Sequence, residues 1–185
     1  MASRALTTRR PVGLDRALAR DLAIAAATGL GVALAKRYLD FHLGIPGHSG
    51  LFWVAALLLG ASQGRAGTGV AAGIAVGAWG VPLGLGHSIG YNMALYASAG
   101  GALDALRLTR WLSVERLPGA IVAGTSMHLA KLAYITTYAS ATGLVKHFHL
   151  LGFAPTAFNH ALFGAGAGIL AWAALRATRR RARPR

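Results

Sequence analysis

Six apolar stretches, separated by short segments that carry most of the arginine, constrain this chain more than any other feature. A helix needs roughly 20 mostly apolar residues to cross about 30 Å of hydrocarbon. The stretches that reach or approach this length cover residues 18–39, 50–63, 66–85, 88–106, 117–138 and 156–175. The second is short and begins within the loop before it. Together they predict an all-α polytopic membrane protein, a compact bundle of six transmembrane helices.

The basic residues predict the orientation of this bundle. Fifteen of the nineteen Lys and Arg residues fall on one side of the six crossings, and Lys36, Arg37 and Lys146 fall on the other. Because Lys and Arg are enriched in cytoplasmic loops, both termini are predicted to be cytoplasmic. The chain is interpreted as a single integral membrane domain over 1–185, with basic tails at 1–17 and 176–185.

Composition excludes several other classes. Only 13% of residues are charged, against about 25% in soluble domains. The net charge of +14 comes from arginine at the ends and in short loops, so it does not indicate a nucleic-acid surface. There is no cysteine, which excludes disulfides and thiolate sites. A cleaved secretory signal in the first stretch is an alternative, disfavoured by the charges close to it and by the five crossings that follow.

Small residues recur at every fourth position of the first helix, at Ala19, Ala23, Ala27, Gly31 and Ala35. Such a stripe lets another helix approach closely. The third helix repeats the pattern at Gly69, Gly73 and Gly77, and the sixth at Gly164 and Gly168. We expect the third and sixth stripes to pack inside this bundle. The first is open to either internal packing or an external protein partner.

Lys131 is the one cation predicted to lie deep inside a crossing, since Arg20, Lys36 and Arg37 fall near the ends of the first. It shares one helical face with His128, Tyr134 and Tyr138. An isolated charge at that depth is costly, so Lys131 should face the bundle interior, a cavity or a partner. Snorkelling to the outer headgroups and a structural hydrogen bond to a neighbouring helix are the alternatives.

Other polar and aromatic residues are predicted to reach the same outer depth as Lys131. The loop over residues 40–50 is predicted to fold back over them. The alternative is that this loop is a plain surface connection. Aromatic walls with a few placed polar groups are typical of a small-molecule site. The candidate ligand-binding residues are Phe41, His48, Ser49, Trp53, Tyr91, Asn92, His128, Lys131, Tyr134 and Asn159. No cofactor or metal site is expected: only His147 and His149 have tight ligand spacing, and no carboxylate is near them.

In its six helices, cytoplasmic ends, small-residue stripe and outer loop, the chain resembles the S component of energy-coupling factor (ECF) transporters. The resemblance implies that Ala23, Ala27, Gly31 and Ala35 dock on a transmembrane coupling subunit driven by two ATPase subunits. It also implies capture of a vitamin-like small molecule by the loop around 41–49 with Asn92, Lys131, Tyr134 and Asn159. The resemblance further implies a prokaryotic plasma membrane. The chain has no phosphate-binding loop, so it is not expected to be an enzyme itself.

Two alternatives come from other classes. Gly47-His48-Ser49-Gly50 matches the G-x-S-G pattern of rhomboid intramembrane proteases, in which His160 would activate the serine. The serine precedes the second helix here, whereas that family places it at the start of the fourth. The other alternative is a membrane scaffold or lipid-binding subunit with no role in transport.

Overall fold

The structure is a computed structural model that describes residues 12–41, 43–109, 113–144 and 152–181. These residues form six α-helices and one short 3-10 turn, and they contain no strand. We label the helices in chain order as α1 Val12–Tyr38, α2 Leu51–Ala61, α3 Thr68–Gly80, α4 Ile89–Leu108, α5 Leu117–Thr142 and α6 Phe153–Arg181, with the 3-10 turn at His48–Gly50 before α2.

All six predicted helices are present, but several of their bounds differ from the prediction. Helix α3 ends at Gly80, because the residues after it turn through Gly84 and Gly86, which adopt positive φ angles of 64° and 76°. Helix α6 continues to Arg181, so most of the predicted C-terminal basic tail is helical. Most of the predicted N-terminal tail, like His147 and His149, lies outside the described residues.

Two helical segments, Arg16–Tyr38 and Phe153–Arg180, are long and apolar enough to cross a membrane by length and composition. Helices α2 and α3 are apolar but short, about 17 and 20 Å at 1.5 Å per residue. Helices α4 and α5 are long enough, but polar residues and glycine interrupt their apolar sequence. The fold is therefore all-helical, and length and composition mark only these two described helices as candidate membrane spans.

Helix α2 contacts all five other helices. Helices α1, α3, α4, α5 and α6 follow one another around it, and α2 packs most extensively on α1 and α6, between which it lies. Every residue of α2 is buried or half-buried. A helix that is apolar on all sides is expected in such an interior position. The site described below is built on the N-terminal end of this helix.

Glycine lets the outer helices approach closely. A Cβ at Gly73 would overlap the backbone of Tyr96 and Ala97, and one at Gly124 would overlap the backbone of Gly164 and Gly168. The predicted internal packing of the small residues in α3 and α6 is confirmed by these contacts.

The stripe on α1 behaves differently from the stripes on α3 and α6. Ala19, Ala23, Ala27 and Gly31 are exposed, and a Cβ at Gly31 would meet nothing within 4 Å. Only Ala35 is partly covered, by the bundle's own core. Helix α1 instead packs through the neighbouring face that carries Thr28 and Gly29. No other described part of this chain covers the stripe.

Charged side chains hold the loops together at one end of the bundle. This end, which we call the arginine end, contains the start of α1, the α2–α3 turn, the end of α4, the start of α5 and the end of α6. Arg65 pairs with Asp21 of α1 at 2.5 Å, and Arg179 of α6 pairs with Glu115 at 2.5 Å. These contacts place the first half of α1 beside the α2–α3 turn, and the segment just before α5 beside the end of α6.

Two residues of α4, the buried Asp104 and the half-buried Arg107, cap two helices at the arginine end. Asp104 accepts backbone N–H groups of Gly69 at 3.3 Å and Val70 at 2.9 Å, in the first turn of α3. Arg107 donates to the Ala61 carbonyl at 3.0 Å and to the Gly64 carbonyl, at the end of α2. A carboxylate at a helix N-terminus and a guanidinium at a C-terminus both oppose the local dipole charge. The sequence analysis did not identify this pair.

Candidate functional site

The candidate site lies at the opposite end, where the 3-10 turn meets the starts of α2, α4 and α6 and the second half of α5. Its centre is a group of five buried side chains, which we call the Trp53 cluster: Trp53, Tyr96, His128, Lys131 and His160. Helix α2 supplies the tryptophan, α4 the tyrosine, α5 the adjacent histidine and lysine, and α6 the second histidine. The cluster therefore draws on four helices.

Trp53 organises the cluster. Its indole is 1% exposed and meets the Tyr96 ring edge-on, with 4.8 Å between centroids. The Lys131 ammonium lies 5.3 Å from the Trp53 ring centroid, within the range of a cation–π interaction. Because His128 and Lys131 are one helical turn apart on α5, both reach the same indole.

Lys131 is a buried cation without a carboxylate partner. Its side chain is 6% exposed, and no carboxylate of the described residues lies within 4 Å of its ammonium. The other lysine near this end, Lys36, is already paired with Asp40. The Trp53 face compensates the charge of Lys131 only in part, since a buried charge is normally paired or hydrogen-bonded. When Lys131 is protonated, its positive charge is therefore not neutralised by any described carboxylate.

Two histidines form a hydrogen-bonded pair beside Trp53. His128 Nδ1 and His160 Nδ1 are 3.0 Å apart, and His160 Nδ1 also lies 3.4 Å from the His128 carbonyl oxygen. Since that carbonyl only accepts, we assign the shared hydrogen to His160 Nδ1. His128 then carries its hydrogen on Nε2, which is buried and makes no well-formed hydrogen bond among the described residues, although the Gly47 carbonyl lies near enough to act on this imidazole.

The 3-10 turn closes over both histidines. Gly47 has a left-handed φ of 92° and lies against His160, and the Gly50 Cα lies against the His128 imidazole. His48 meets the Phe163 ring of α6, while its Nδ1 donates to the Ile45 carbonyl within the loop. As predicted, the loop folds back onto α5 and α6. It also fills the space in which the sequence predicted an open pocket.

A second group, the tyrosine cluster of Tyr91, Tyr134 and Tyr138, lies nearby on α4 and α5. Tyr91 contacts Tyr134 with 5.5 Å between ring centroids and Tyr138 with 4.8 Å. Asn92 is buried and donates from its side-chain amide to the His87 carbonyl at 3.3 Å. Two of the predicted site residues, Tyr91 and Tyr134, therefore meet each other rather than Trp53.

Besides His48 and Asn92, three predicted site residues lie outside both clusters. Phe41 is 57% exposed and meets only the edge of Phe52, with 6.2 Å between centroids. Asn159 is half-buried and has no hydrogen bond to the described members of either cluster. Ser49 is half-buried, and no hydrogen bond joins it to His128 or His160, which bond to each other instead.

His160 and Tyr96 were not among the predicted ligand-binding residues. His160 lies one helical turn before Gly164 and two before Gly168, so its side chain shares the face on which α6 approaches α5. That spacing was a usable signal for its burial. Tyr96 had no comparable signal, because its contact with Trp53 depends on how α2 packs among the other helices.

No family model, curated protein or solved structure matches this chain. The described residues also contain no group of three or more His, Asp or Glu side chains that could hold a metal ion.

Proposed function

We propose that this chain is a membrane-embedded capture subunit that binds a small anionic molecule at the Trp53 cluster and delivers it inward on an energised partner complex, as an S component of an ECF-type importer does. The unpaired, buried ammonium of Lys131 carries the proposal. The aromatic rings around it supply walls for an organic ligand, and the His128 Nε2–H supplies a directed donor.

The surface of four of the helices supports insertion of the bundle into a membrane. Large apolar side chains are exposed in the middle of four helices, among them Leu22, Ile74, Val122, Leu129 and Ile169. Buried positions, by contrast, include Asn92, His128, Lys131 and many glycines. Soluble monomers rarely expose apolar surface this extensively. In the proposed arrangement the short helix α2 lies between α1 and α6 with five of its eleven residues buried, so only part of its surface meets lipid.

The class of ligand follows from the charge of the site. An anionic group, such as a carboxylate, would pair with Lys131 where water is scarce and the attraction is strong. Because the 3-10 turn covers His128 in the present structure, entry requires the loop over 39–50 to move away. The left-handed glycines Gly44 and Gly47 are its natural hinges.

The exposed stripe on α1 supports the proposed partner. Ala23, Ala27 and Gly31 present a flat surface that nothing else in the described chain covers. Helices of a coupling subunit could approach it closely, since small residues let helix backbones come together in membranes. Hydrolysis of ATP then belongs to separate ATPase subunits in this proposal.

Ligand binding to the full chain, purified in detergent, tests the proposal. The probes are three vitamins that carry a carboxylate (biotin, pantothenate and nicotinate), and the variant is Lys131→Met, which keeps the length and apolar stem of the lysine. We expect at least one probe to bind the wild type, and the variant to bind it about tenfold or more weakly, the size of one lost charge-assisted hydrogen bond. Equilibrium dialysis measures both affinities.

Arg37→Met is the matched control. Arg37 is exposed at the same end of the bundle as Lys131, and its loss changes the net charge equally. We expect it to bind the probe as the wild type does. Equal weakening by both substitutions would indicate a diffuse field rather than a site at Lys131. Binding that is unchanged in Lys131→Met would remove Lys131 from the site.

A further inference from the structure

The arginine end carries a groove that the proposed function does not use. It has a volume of about 310 Å³ and lies between the end of α6 and the segment before α5. Its lining residues are Glu115, Trp172, Leu175, Arg176, Arg179 and Arg180. A second groove, of about 360 Å³, lies along the same stretch of α6 and shares Trp172, Arg176 and Arg180 with the first. These three residues therefore border both grooves.

The charges of the first groove do not cancel. Glu115 is its only carboxylate, and Arg179 holds it at 2.5 Å. The same hydrogen bond lowers the pKa of Glu115, so the pair is fully ionised and neutral overall. In the part of the chain that the structure describes, neither Arg176 nor Arg180 has a carboxylate within 4 Å. The groove therefore keeps two uncompensated guanidinium groups.

Trp172 gives the groove its second property. The Arg176 guanidinium lies 5.2 Å from the Trp172 ring centroid, so the indole holds it in place while its N–H groups remain free to donate. The two residues are one helical turn apart, with Arg180 a further turn on. Toward the middle of α6 the same helical face continues with the exposed side chains of Ile169 and Leu162, one and about three turns before Trp172. A planar donor is thus followed along the helix by an apolar strip.

We infer that Trp172, Arg176 and Arg180 form a binding site for the phosphate headgroup of an anionic phospholipid. The inference rests on the membrane insertion proposed above, which places this turn of α6 at the cytoplasmic interface. Guanidinium groups bind phosphate oxygens through paired hydrogen bonds, and tryptophan is favoured at the depth of the headgroups. The acyl chains lie along the apolar strip. A free phosphate compound would use the charges but not the strip.

The inference is tested on the full chain in nanodiscs of phosphatidylcholine with a minor fraction of phosphatidylglycerol. Native mass spectrometry counts the phosphatidylglycerol molecules that remain bound after the protein is released from the nanodisc. The test variant is Arg176→Gln/Arg180→Gln. The matched control is Arg16→Gln/Arg20→Gln, which removes two exposed arginines from the same end but from neither groove. Arg180→Gln alone is a milder variant of a fully exposed side chain.

We expect the test variant to retain roughly tenfold less phosphatidylglycerol than the control, as for the loss of one charge-assisted hydrogen bond. The single variant should lie between the two. Equal losses in test and control would overturn the site in favour of a diffuse positive field. Displacement of the lipid by excess glycerol 3-phosphate would show that the groove selects free phosphate instead.

Extraction of the cell membranes with alkaline carbonate separates this inference from the proposed function. If the wild-type chain leaves the membrane, its insertion is wrong and both proposals fall. If the chain stays in the membrane while test and control retain equal lipid, only the headgroup site is wrong.

Discussion

Gly50 shows how one small residue fixes the geometry of the candidate site. Its Cα lies so close to the His128 ring that an added Cβ would overlap Nε2 and Cε1. Because this contact seats the 3-10 turn on α5, the absence of a side chain at Gly50 determines how deeply the turn closes. Protein interiors are packed too densely to absorb an extra methyl group without a shift.

We predict that Gly50→Ala destabilises the protein by about 1–3 kcal/mol, the usual cost of overpacking. The cost should largely disappear in a His128→Ala background, since the group that clashes is then absent. Thermal unfolding in detergent, followed by circular dichroism, is measured for the wild type, Gly50→Ala, His128→Ala and the double variant. The difference between the cost of Gly50→Ala with and without the His128 imidazole gives the coupling between the two residues. Gly90→Ala serves as control, because a Cβ there meets nothing within 4 Å. A full cost that persists without the imidazole would contradict this account of the contact.

At the scale of helices, α1 presents two faces that the sequence made look alike. Gly29 lies against Ala72 and Ala75 of α3, whereas Gly31, two residues further on, faces open space. The four-residue spacing of the stripe indicated a close-approach surface, but it could not indicate which small residues the bundle itself would cover. The structure separates an inner face from an outer one.

Leucine at these two glycines therefore has opposite expected effects. Gly29→Leu should prevent α1 from packing on α3 and reduce the yield of monodisperse protein severely, because its Cβ alone overlaps Ala75. Gly31→Leu should fold with wild-type thermal stability and bind the carboxylate probe normally. If α1 docks on a coupling subunit, Gly31→Leu should still lose uptake in cells. Wild-type uptake with that variant would argue against docking at the stripe, and misfolding of it would contradict the exposure of Gly31.

How much of the architecture could be predicted differs by region. The number and order of helices followed from the lengths of the apolar stretches, and the shared face of His128, Lys131 and Tyr134 followed from helical spacing. The ends of the helices could not be predicted in the same way. The segment with Arg176 and Arg179 was predicted as a basic tail, because its contacts with Trp172 and Glu115 are not visible in the sequence. The position of α2 between α1 and α6 and the pairing of His128 with His160 were also out of reach. They depend on contacts between helices distant in sequence.

For the whole molecule, the decisive prediction concerns which loops share a side of the membrane. The chain has no cysteine, so a single introduced cysteine is the only thiol of this protein that a maleimide can label. Six crossings require exposed residues Leu43, Val81 and Leu144 to lie outside, with Gln63 and Ser113 inside. A membrane-impermeant maleimide should therefore label the first three in intact cells, and the other two only after permeabilisation. Val81 is the most informative position, because it follows the short helix α3. If Val81→Cys is labelled only after permeabilisation while Leu43→Cys is labelled in intact cells, α3 does not cross. The orientation of α4 would then be reversed, and the tyrosine cluster could not open to the exterior.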